Sequence, residues 1–88
     1  MRCYVYRSSR RADTYVYLPR QDDFSKLPEG LLRMLGRLEF ALEFDLAPER
    51  RLAREDSATV RANLESQGFH LQLPPPEEGR GSENGEQV

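Results

Sequence analysis

Between Leu38 and Leu46 every second residue is apolar: Leu38, Phe40, Leu42, Phe44 and Leu46 alternate with Glu39, Ala41, Glu43 and Asp45. A period of two is the repeat of a β-strand, whose successive side chains point to opposite faces. The run therefore predicts one amphipathic strand, with Glu39, Glu43 and Asp45 together on its wet face. A chain of 88 residues can build only one small core around such a strand, since at this size roughly 60–65% of the unfolded chain's surface becomes buried. One domain is expected.

Two more strands open the chain. Arg2 to Arg7 and Thr14 to Leu18 are β-branched and aromatic runs, and the polar stretch Ser8 to Asp13 separates them. They read as an antiparallel hairpin. Cys3 and Val5 fall on one face of the first strand and Tyr4 and Tyr6 on the other, a pattern that calls for cover on both sides of the sheet. Pro19 ends the second strand. Pro28 suits the first turn of a helix, where Leu31, Leu32, Leu35 and Leu38 follow at helical spacing, and Gly36 can stop it. Asp56 or Ser57 can cap a second helix, with Val60 and Leu64 on one side and Gly68 at its end. Phe69 to Leu73 is a last strand. The predicted class is α/β, in the order β-β-α-β-α-β.

Pro74, Pro75 and Pro76 remove three backbone donors in a row and close the folded body, residues 1–76. Residues 77–88 hold Glu77, Glu78, Glu83 and Glu86 with three glycines and no apolar side chain before Val88, so a disordered acidic tail is expected. The formal net charge of −2 is a property of that tail. Residues 1–20 are the opposite: Arg2, Arg7, Arg10, Arg11 and Arg20 stand against Asp13 alone.

No stretch approaches the roughly 18 apolar residues of a membrane span, and Met1 leads directly into a strand pattern rather than a secretory leader. The single cysteine, Cys3, cannot form an internal disulfide. A cytoplasmic location without membrane attachment is expected.

The hairpin tip is the strongest candidate for chemistry. Arg7, Ser8, Ser9, Arg10 and Arg11 bring three guanidiniums, two hydroxyls and turn amides into one loop. Planar guanidinium forks suit phosphate or carboxylate, and Tyr4, Tyr6, Tyr15 and Tyr17 offer rings for stacking bases. The bland alternative is a charged, solubilising tip with its tyrosines in the core. Arg50, Arg51 and Arg54 form a second basic cluster that can extend a positive face, or simply be solvated.

Cys3 and His70 are the only nucleophile and base on adjacent-looking strands, yet no orienting group or oxyanion hole accompanies them. Free cysteine usually packs as a small hydrophobe. The pair lacks two of the ligands that zinc needs, and no metal or other cofactor is expected. Asp22 and Asp23 read as turn formers. Gly30 and Gly36 stand alone, so no phosphate-binding glycine loop is present.

The opening Met1 to Arg10, followed by Asp13-Thr14-Tyr15-Val16-Tyr17-Leu18, is similar to the start of the YcgL-like proteins. These are a family of small, functionally uncharacterised gammaproteobacterial proteins. Leu52 to Asp56, Val60, Leu64 and the run Gly68-Phe69-His70-Leu71-Gln72-Leu73-Pro74-Pro75 resemble the same family. The resemblance spans residues 1–76 and implies a small three-layer α/β/α sandwich. It brings no catalytic residue, cofactor or substrate. The proximity of such genes to that for ribonuclease D implies RNA, or a protein of RNA metabolism, as the partner.

These features lead to an expected function: a non-catalytic module that binds RNA or protein through a basic hairpin face. The alternative is a small enzyme or redox-sensitive protein using Cys3.

Overall fold

A computed structural model describes residues 1–47 and 55–74. Arg50, Arg51, Arg54 and the acidic tail lie outside the described residues. The elements follow as β1 (Arg2–Ser8), β2 (Tyr15–Leu18), α1 (Glu29–Leu35), β3 (Leu38–Asp45), α2 (Ser57–Ser66) and β4 (His70–Gln72). The strands form one four-stranded sheet in the order β3-β1-β2-β4, with every neighbouring pair antiparallel. Among the described residues the result is a small α/β fold with two helices.

The local chemistry of each boundary is visible. Pro28 stands at the N-cap of α1, where its missing N–H leaves no donor unpaired. Gly36 ends that helix at φ 72° and ψ −146°, a conformation that a side chain would strain. Asp56 caps α2 by accepting the Thr59 N–H at 3.2 Å.

Apolar residues gather in two clusters, and the alternation of side chains along the inner strands separates them. Cys3, Val5, Tyr17 and Leu46 pack with Val60 and Leu64 of α2. Tyr6, Val16 and Leu18 pack with Leu27 and with Leu35 of α1, and Tyr4, Leu31, Leu32 and Leu38 join them. The buried ring of Tyr6 has its hydroxyl satisfied twice: it donates to Asp22 Oδ1 at 2.8 Å and accepts the Asp22 N–H at 2.7 Å.

The alternating run that announced β3 does not keep one face. Val5 is opposite Leu42, but Tyr6 is opposite Phe40, so Ala41 is an extra residue on the outer strand. This bulge reverses the facing of everything beyond it. Leu38 and Phe40 therefore join the Tyr6 side, and Phe40 meets Tyr6 edge-on at 5.7 Å. Leu42 and Phe44 are opposite Val5 and Cys3 on the other side. Glu39 shares a face with Arg7, whereas Glu43 shares one with Tyr4. The expected single row of carboxylates is thus corrected to two short groups on opposite faces. Because β3 is an outermost strand, Phe40 and Leu42 also remain 50% and 48% exposed rather than buried.

No helix among the described residues is long and apolar enough to cross a membrane.

Candidate functional site

The tip between β1 and β2 folds onto the C-terminal end of α1. A helix end leaves carbonyls without intrahelical partners, and the tip supplies donors to them. Ser8 Oγ donates to the Leu35 carbonyl at 2.6 Å, and the Ser9 N–H donates to Arg37 O at 2.9 Å. Arg10 contributes its N–H to Leu35 O at 3.3 Å and its guanidinium to Arg33 O at 3.3 Å. Ser8 Oγ also accepts the N–H groups of Arg10 at 3.2 Å and Arg11 at 2.9 Å. The turn amides of Ser9, Arg10 and Arg11, expected to be open to an anion, are therefore engaged within the protein.

This docking carries a consequence for charge. It sets Arg7, Arg10 and Arg11 of the hairpin beside Arg33 and Arg37, two residues that the sequence did not single out. They lie more than twenty residues away along the chain, and the tip-to-helix hydrogen bonds, with the pairing of Ser8 opposite Leu38, join them to the hairpin. Glu39 takes hydrogen bonds from Arg7 at 3.1 Å and Arg37 at 3.3 Å, and these, Arg7 first, hold its carboxyl below the ordinary value. Arg33 pairs with Glu29 at 3.1 Å along the helix. Among the described residues, no carboxylate pairs with Arg10 or Arg11. Both border a groove of about 470 Å³ that also takes in Met34, Leu73 and Pro74.

The four tyrosines divide between the core and its edge. Tyr6 and Tyr17 are buried, and Tyr4 and Tyr15 pack against the two clusters. Tyr17 donates its hydroxyl to Gln72 Oε1 at 2.5 Å.

Cys3 and His70 are not neighbours. Cys3 lies on β1 and His70 on β4, with β2 between them, so two interstrand spacings of about 5 Å each keep them apart. Cys3 is fully buried, and that burial pushes its thiol up to about 12. The thiolate needed by a nucleophile or redox sensor is accordingly scarce at neutral pH. In the native protein, alkylation of Cys3 by iodoacetamide is expected to proceed only at the rate of unfolding. Rapid modification of the fully folded chain would contradict that placement. His70 has both ring nitrogens occupied: Nε2 lies 2.5 Å from Glu55 Oε1 and Nδ1 2.9 Å from Asn63 Nδ2. It ties the start of α2 to β4 and has no lone pair left for a substrate.

Asp22 and Asp23 serve their own loop. Asp22 adopts φ 60° under the Tyr6 hydroxyl, and Asp23 accepts from the Ser25 hydroxyl at 2.6 Å and N–H at 3.2 Å. Those bonds lower the Asp23 carboxyl from its ordinary value. Glu43 is held by Arg2 at 2.7 Å. No group of three or more His, Cys, Asp or Glu among the described residues is placed to hold a metal ion.

The family profile of the YcgL domain matches residues 3–75. The chain belongs to the YcgL domain family. A YcgL domain-containing protein of Thioalkalivibrio sulfidiphilus is 54% identical over 78 residues, covering 89% of this chain and 96% of the relative. One from Azotobacter vinelandii is 53% identical over 76 residues, covering 86% and 78% respectively. Another, from Xanthomonas euvesicatoria, is 54% identical over 74 residues, covering 84% and 86%. The match takes in the hairpin, both helices and all four strands, so the tip-to-helix docking belongs to the part of the chain shared with the family.

Proposed function

We propose that this YcgL domain is a non-catalytic binding module that holds an anionic macromolecular partner, RNA or protein, on its arginine-bearing end. The observation that carries this reading is the pair Arg10 and Arg11. They are exposed, free of carboxylates among the described residues, and set at a groove beside Arg33 and Arg37. The Arg11 guanidinium keeps its donors for phosphate or carboxylate, and that of Arg10 keeps those not given to the Arg33 carbonyl. Ser8 and Ser9 hold the tip in place, and Arg7 adds charge while shared with Glu39. Arg50, Arg51 and Arg54 are assigned to the same function as further positive charge.

The fold that presents this end is, on our reading, a three-layer α/β/α sandwich. Its support is the pairing of each apolar cluster with a different helix, α2 with one and α1 with the other. A cytoplasmic setting fits a buried, unoxidised thiol at Cys3.

The double variant Arg10→Ala/Arg11→Ala tests the function. Affinity for a short single-stranded RNA and for polyglutamate is measured across a salt series with both proteins. Removing two ionic contacts is expected to weaken binding of the recognised polyanion and to flatten its salt dependence by about one to two units of slope. Unchanged affinity and slope for both polyanions would remove the tip from the account.

A further inference from the structure

The groove beside Arg10 and Arg11 is not purely a charged surface. Its lining includes Met34 and Leu73, which are 37% and 61% exposed and among the few large apolar side chains left uncovered by the fold. Ala12 and Pro74 add apolar lining, Thr14 adds a polar side chain, and no aromatic side chain is present among the described residues that form it. The space, about 470 Å³, is a half-open surface groove rather than an enclosed cavity.

This combination discriminates between polyanions. A single RNA strand gains much of its local affinity from bases stacked on aromatic rings, and here Tyr6 and Tyr17 are buried, Tyr4 and Tyr15 are half-buried, and none of the four lines the groove. Exposed aliphatic side chains beside two guanidiniums are matched instead by an acidic peptide that also carries an aliphatic side chain. Carboxylates then meet the guanidiniums while the apolar group covers Met34 and Leu73. The chain's own residues 77–88 supply glutamates but no apolar side chain before Val88, so they match the guanidiniums and not Met34 and Leu73.

Resting on the reading that the arginine-bearing end binds an anionic partner, we infer that this groove takes an extended acidic segment of another protein, with an aliphatic side chain seated against Met34 and Leu73 and flanking carboxylates on Arg10 and Arg11. The two parts of the contact act together. The guanidiniums orient the segment, and burial of the aliphatic group supplies the component that survives salt.

The test uses the full chain and three probes at about 150 mM salt, where long-range attraction is screened. The probes are a short peptide with leucines flanked by glutamates, the same peptide with serine in place of leucine, and a single-stranded RNA of similar charge. The leucine peptide is expected to bind about tenfold or more tightly than the serine peptide and more tightly than RNA. Leu73→Ser, a change at an exposed side chain, should erase the advantage of leucine over serine, and an advantage that persists would overturn the seating against Leu73. Equal binding of the two peptides, or tighter binding of RNA, would overturn the acidic-segment inference and leave the anionic end standing. Failure of all three probes to bind would overturn both.

Discussion

Replacing Leu64 by alanine is expected to destabilise the fold by about 3 kcal/mol, the middle of the range for deleting a well-buried leucine side chain. Leu64 is 4% exposed, and with Val60 it is one of only two buried residues on α2. The cluster it fills also holds Cys3 at 0% exposure. A cavity there cannot be closed cheaply, because strands on one side and a single helix on the other leave few atoms free to shift. Domains of this kind have total stabilities of about 5–15 kcal/mol, so the loss is a large fraction of the whole. Urea denaturation gives the stability change, and the rate of Cys3 alkylation should rise with the larger unfolded population. A loss under about 1 kcal/mol, with the thiol still as protected, would mean that α2 does not cover this side of the sheet.

Ser8→Ala is the second large effect, expected at about 2 kcal/mol. A buried hydroxyl that is removed leaves its former partners without a bond, and each such group costs about 1–3 kcal/mol when water cannot reach it. Ser8 Oγ serves three: the Leu35 carbonyl and the N–H groups of Arg10 and Arg11. Arg10 and Leu35 retain the 3.3 Å bond to each other, which moderates the loss. Arg11 N–H has no such replacement, so its hydrogen exchange should accelerate most. Ser9→Ala, at the exposed neighbouring position, provides the contrast and should stay within about 0.5 kcal/mol of the parent. Equal effects at the two serines would show that the tip is not anchored through Ser8.

The comparison of these two serines illustrates what a sequence of this kind discloses. Both sat in a polar turn and both were counted as ligand-binding hydroxyls. Only the three-dimensional docking onto α1 distinguishes the buried anchor from the exposed neighbour. The elements themselves were legible, because local chemistry writes their boundaries: Pro28 and Gly36 bracket α1, Asp56 caps α2, and period-two runs mark the strands. Two-sided apolar patterning at Cys3, Tyr4, Val5 and Tyr6 likewise forecast a cluster on each face.

What escaped was set by pairing between distant segments. Nothing within Leu38 to Leu46 signals that Ala41 is skipped by β1, yet that single bulge turns Glu39 away from Glu43. Strand order decides that β3 lies outermost and that β2 separates Cys3 from His70. Arg33 and Arg37 carry no sequence signal of their own, and the Ser9 and Arg10 bonds join them to the hairpin. The Glu55–His70–Asn63 arrangement was equally invisible, since it needs the start of α2 laid against β4.

The most direct test of the central claim is an amide-resolved NMR titration of the full chain with polyglutamate and, in parallel, single-stranded RNA, each at about 150 mM salt. The account predicts saturable shifts, from at least one of them, concentrated on Arg7 to Asp13 with Arg33, Met34, Arg37 and Leu73. Shifts centred on Phe40 and Leu42 of β3, or none that persist at this salt from either polyanion, would contradict it.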